Sequence, residues 1–64
     1  MPVLRVEMFE GRTNDQKKEL VKELTNSFVK TCGGNPEGVN IIIQEYKKED
    51  WAVGGLLSSE SSST

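Results

Sequence analysis

Two strand-like runs joined through one amphipathic helical stretch constrain this chain more than any other feature. In Val3–Phe9 polar and apolar residues alternate, placing Leu4, Val6 and Met8 on one face and Val3, Arg5, Glu7 and Phe9 on the other. Thr13-Asn14-Asp15-Gln16 has the spacing of a capping box, in which Thr13 caps a helix and Gln16 reaches back to its backbone N–H. Leu20, Val21, Leu24, Phe28 and Val29 then recur at three- and four-residue steps, the stripe of a helix with one covered face. Gly33-Gly34 stop it, and Asn35-Pro36-Glu37-Gly38 is turn chemistry. Residues 39–46 read as a second strand, where the Ile41-Ile42-Ile43 run predicts burial on both faces. A helix between consecutive strands makes them parallel, with a right-handed crossover.

This fold class, a single α/β unit of βαβ type, is incomplete alone. One helix covers one face of a two-stranded sheet, so the face carrying Val3, Ile42 and Tyr46 is left for another subunit. After a charged turn at residues 47–50, Trp51-Ala52-Val53-Gly54-Gly55-Leu56-Leu57 has the form of a hairpin with a Gly-Gly turn. A hairpin so small is unstable by itself and is expected to add to a sheet edge, again of a neighbour. The domain is expected to occupy residues 1–57, with residues 58–64 a polar, disordered tail of low complexity.

Composition points the same way. A chain of 64 residues buries only about 60% of the surface its unfolded form exposes, and folds of this size usually need disulfides, a metal or partner subunits. The single cysteine, Cys32, cannot close an intrachain disulfide, and no histidine is present to join it around zinc, so no metal is expected. Oligomerisation is the remaining supplement. Cys32 reads as a small structural thiol, with no basic partner to make it a nucleophile. A net charge of −2 without a basic stripe argues against nucleic acid. Apolar runs no longer than three residues argue against a membrane span or signal peptide, and a cytoplasmic location is expected.

The chemistry of the chain starts at Met1-Pro2. Removal of the initiator Met would leave the secondary amine of Pro2 as a free N-terminus, immediately ahead of a strand that can hold it rigidly. Unprotonated, that amine is a base. With Met1 attached, the same nitrogen is an amide and has no basicity. An α-amino group titrates near 7.7–8.0 in water and that of proline higher, so a base active at pH 7 needs its pKa lowered by burial or nearby cations.

Pro2, Glu10-Gly11-Arg12 ahead of a capped helix, the second strand and Trp51-Ala52-Val53-Gly54-Gly55 occur together over residues 2–57. In this combination the chain resembles the 4-oxalocrotonate tautomerase family. The resemblance implies a homo-oligomer, usually a hexamer, with active sites at subunit boundaries and no cofactor. It implies proton transfer between enol or dienol and keto forms of a small 2-keto acid, with Pro2 as general base and then acid. Arg12 would anchor the substrate carboxylate, and Phe9 and Trp51 would form apolar walls.

The chain departs from the family pattern at Asn40, which stands where the resemblance implies a second, oxyanion-binding arginine. An amide donates a hydrogen bond without charge, and charge-assisted bonds are roughly twice as strong, so turnover of dicarboxylates should be weaker. Arg5, Lys47 and Lys48 are possible substitutes. Two further readings stay open: hydration or dehalogenation of an unsaturated acid with protonated Pro2 as acid and Glu7 or Glu45 activating water, and a weakly active or non-catalytic subunit of a mixed oligomer.

Overall fold

A computed structural model describes residues 1–60. Strand β1 (Val3–Phe9) leads into helix α1 (Asn14–Cys32), and β2 (Asn40–Tyr46) follows a 3-10 turn at Pro36–Gly38. The two strands are parallel, paired from Val3 with Asn40 through Phe9 with Tyr46. The second strand begins one residue later than the sequence suggests, because the Val39 N–H is engaged by the carbonyl of Pro36 at 3.1 Å. The short strands β3 (Ala52–Val53) and β4 (Leu56–Leu57) form a separate antiparallel pair.

Local chemistry accounts for the boundaries. The capping box closes in both directions: Thr13 Oγ1 accepts from the Gln16 N–H at 3.1 Å, and Gln16 Oε1 accepts from the Thr13 N–H at 2.9 Å. At the other end the Gly33 N–H donates to Val29 O. The hairpin turn needs positive φ at both central residues, a conformation that glycine reaches without penalty, and Gly54 and Gly55 supply φ of 62° and 85°. Alternation along both strands survives folding. Leu4, Val6, Met8, Ile41, Ile43 and Glu45 are half-buried on the helix side, where Lys17 of α1 reaches Glu45 at 2.9 Å. The i,i+3 surface pairs Asp15/Lys18 and Glu19/Lys22 that the charge spacing allowed do not close among the described residues.

The opposite sheet face is open. Val3 is 55% and Ile42 42% exposed, so the burial on both faces expected of the isoleucine run is not achieved within one chain. The hairpin is equally uncovered, with Val53 at 72% and Leu56 at 60%. Among the described residues no hydrophobic side chain is fully buried, and the one buried residue is a serine, Ser58. Ser58 also departs from the expectation of a tail beginning at residue 58. Its N–H donates to the Trp51 carbonyl at 2.7 Å, and the Ser59 N–H donates to Lys48 O at 3.2 Å, continuing the order of the hairpin to residue 60. The rest of the expected tail, residues 61–64, lies outside the described residues.

Candidate active site

Pro2 sits directly ahead of β1, half-buried, and its carbonyl accepts the backbone N–H of Asn40 at 2.9 Å. This bond adds a rung to the parallel ladder before Val3 and fixes the direction in which the N-terminus leaves the sheet. Asn40, its neighbour across the ladder, is exposed, and its side-chain amide donates to Gly38 O at 3.3 Å. Pro2 and Asn40 therefore share one end of the sheet.

Phe9, Arg12 and Trp51 gather at the other end. The Glu10 N–H donates to Tyr46 O at 2.8 Å, the last bond between the strands, and the chain then turns at Gly11, whose φ of 123° would strain a residue with a Cβ. The turn delivers Arg12 to the helix start, where its Nη1 lies 3.4 Å from Phe9 O. Phe9 and Tyr46 are register partners on the open face, and Trp51 meets both rings, at centroid separations of 4.7 Å and 5.8 Å. Arg12 lines a hollow with Phe9, Glu10, Gly11, Gln16 and Lys48. Trp51 lines a second one with Glu7, Tyr46, Asp50 and Ala52. Arg12 and Trp51 thus line two different hollows, and Phe9 lines the one with Arg12.

The two ends are far apart. Seven strand residues at about 3.3 Å each separate Pro2 from the turn that carries Arg12 by roughly 20 Å. No single chain can present Pro2, Arg12 and Trp51 to one small substrate.

Tyr46, placed on the open face by the sequence, and Lys48, one of the possible cation substitutes, both approach the aromatic cluster. Tyr46 shares strand parity with Asn40 and Ile42, which points it to the open face, and its Oη donates to Glu7 Oε1 at 3.1 Å. Partial burial raises the Tyr46 pKa above the ordinary value of 10.0, the hydrogen bond and the charge of Glu7 raise it further, and Arg5 opposes them. Lys48 is carried by a 3-10 turn, Lys48–Asp50, which folds its ammonium to 6.0 Å from the Phe9 ring centroid. Its charge was visible in the sequence, but not its approach to Phe9. Among the described residues no cluster of His, Cys, Asp and Glu is arranged to hold a metal, and no helix is long and apolar enough to cross a membrane.

Residues 2–61 match the family of tautomerase enzymes. The chain belongs to the tautomerase family. Similarity to individual tautomerases extends over nearly the whole chain. A probable tautomerase of Staphylococcus epidermidis is 42% identical over 60 residues, 94% of this chain and 98% of that one. The crystal structure of YwhB, a homologue of 4-oxalocrotonate tautomerase, superposes with a TM-score of 0.90 at 37% identity, covering 94% of this chain and 98% of YwhB. A heterohexamer 4-oxalocrotonate tautomerase from Chloroflexus aurantiacus J-10-fl gives a TM-score of 0.88 at 37% identity, covering 94% and 97%. The βαβ fold of this tautomerase-family chain, with its C-terminal hairpin, is accordingly that of the 4-oxalocrotonate tautomerase homologues.

Proposed function

We propose that the chain, after loss of Met1, is a cofactor-independent keto-enol tautomerase acting on a small 2-keto acid in an oligomer of several copies. The observation that carries this reading is the seat of Pro2: half-buried, first before β1, with its carbonyl accepting the backbone N–H of Asn40. The Pro2 amine takes a proton from the enol and, as ammonium, returns it to a carbon of the conjugated system, so charge and atoms balance. Arg12 of another copy anchors the carboxylate, Phe9 and Trp51 exclude water, and Asn40 donates to the substrate oxygen without adding charge. Positioned acid–base catalysis of this kind contributes about 10²–10⁴-fold.

Assembly of the site from several chains follows from the roughly 20 Å between Pro2 and Arg12 along β1. It is also supported by the open sheet face and by a chain without a buried hydrophobic side chain among its described residues. A hexamer fits a family in which the similar Chloroflexus protein is a heterohexamer. That similarity also favours a second reading, in which this chain is one of two kinds of subunit and gains full activity only with its partner. The hydratase or dehalogenase reading has less support. Its two candidate water activators are already engaged, Glu7 by Tyr46 and Glu45 by Lys17.

The test is an intact-mass measurement showing loss of Met1, followed by turnover of mono- and dicarboxylic enols by the parent and Pro2→Ala chains. Turnover should drop by about 10²-fold or more in the variant, and the parent rate should rise with pH as Pro2 deprotonates. Equal rates in the two chains would overturn the reading. A rate that falls with rising pH would favour Pro2 as an acid, and activity appearing only on mixing with a homologous chain would favour the mixed oligomer.

A further inference from the structure

We infer that Lys48 is a substrate-binding residue, a second cation that shares with Arg12 the carboxylate of the substrate. The inference rests on the tautomerase reading above and adds a residue to its specificity. Arg12 and Lys48 line the same hollow, and both are referred to Phe9: the guanidinium lies 3.4 Å from the Phe9 carbonyl, the Lys48 ammonium 6.0 Å from the centre of its ring. Phe9 thus contributes an aromatic ring to a hollow that two positive groups also line.

Lys48 is also held from behind. Its carbonyl accepts the N–H of Trp51 at 3.4 Å and that of Ser59 at 3.2 Å, so the hairpin and the turn that follows it both fix the backbone from which the side chain extends. Lys47, one residue earlier, does not line the hollow. The charged groups facing the hollow are Arg12, Lys48 and Glu10, which sum to +1. A carboxylate has two oxygens and about four acceptor sites, enough to take a fork from the guanidinium and a point charge from an ammonium together. Both cations stand at the Arg12 end of the site, and Asn40 brings none to the Pro2 end. The chemistry selected is a monocarboxylic enol whose acid group enters the Arg12–Lys48 hollow.

The experiment pairs binding with kinetics on the assembled protein lacking Met1. Calorimetric titration with 3-phenylpropanoate, an unreactive monocarboxylate, is compared among the parent, Lys48→Gln, Lys48→Arg and Lys47→Gln chains, alongside KM and kcat for phenylenolpyruvate. Exposed charge pairs contribute modestly, so Lys48→Gln should weaken binding by roughly threefold to fivefold and raise KM by a similar factor with kcat little changed. Lys48→Arg should restore most of the loss, Lys47→Gln should bind as the parent does, and Lys48→Gln should lose affinity less steeply with added salt. Parent-like binding by Lys48→Gln, or an equal loss in Lys47→Gln, would overturn the inference. Failure of the tautomerase reading has a different signature: no turnover by the parent, or full turnover by Pro2→Ala, whatever the titrations give. Recovery in Lys48→Arg separates lost charge from lost folding.

Discussion

The backbone N–H of Asn40 donates to the carbonyl of Pro2 at 2.9 Å, so the residue that departs from the family pattern is also the one that holds the proposed base in place. The bond comes from the main chain and survives any side chain at position 40. What the side chain decides is charge beside the base. Asn40→Arg is therefore expected to leave the fold intact and to raise kcat/KM for a dicarboxylic enol. A charge-assisted hydrogen bond exceeds a neutral one by on the order of 1 kcal/mol, worth about fivefold in rate. Steady-state kinetics on paired mono- and dicarboxylic enols measures this, and an unchanged preference would mean that Asn40 does not face the substrate.

Tyr46 should titrate late. Its partial burial and its bond to Glu7 stabilise the neutral phenol, so the ultraviolet titration midpoint should lie above 10.0, and Glu7→Gln should bring it down. The sign for stability follows. A phenol whose pKa is raised on folding contributes stability that is fully present below the unfolded value, about 10, and is lost as pH rises through the folded value. Denaturation midpoints should fall over that alkaline window, and less so in Tyr46→Phe.

Ile42 lies 42% exposed at the middle of the open sheet face. A charge there would have to be buried without a partner in any assembly that uses this face. Ile42→Glu is expected to dissociate the oligomer in sedimentation experiments and to abolish turnover. Lys22→Glu, on the exposed side of the helix, should do neither. The parent melting temperature should rise with protein concentration, as it does when folding and association are linked.

Thr13 caps the helix through the Gln16 N–H at 3.1 Å. Thr13→Ala removes the acceptor and should cost about 1 kcal/mol per chain, read from denaturant midpoints, while Thr13→Ser should retain most of it. A larger loss in activity than in stability would show that the cap also sets the position of Arg12, its immediate neighbour.

The order of elements was legible because each rests on local rules. Period-two alternation in Val3–Phe9, the Thr13/Gln16 box, the stripe from Leu20 to Val29 and the paired glycines 54 and 55 all recur in the structure as read. The incompleteness of the unit was legible too, since one helix cannot cover two faces of a sheet. Tertiary structure decided matters that depend on distance between remote residues. It placed Pro2 and Asn40 at one end of β1 and Phe9, Arg12 and Trp51 at the other, set Trp51 against Tyr46, and paired Lys17 of the helix with Glu45 of the sheet. It also drew Lys48 toward Phe9 and carried order past Leu57 to Ser58. Residue types and spacing report what a segment prefers within a few residues, whereas ring contacts, ion pairs and shared hollows arise only when the backbone brings distant segments together.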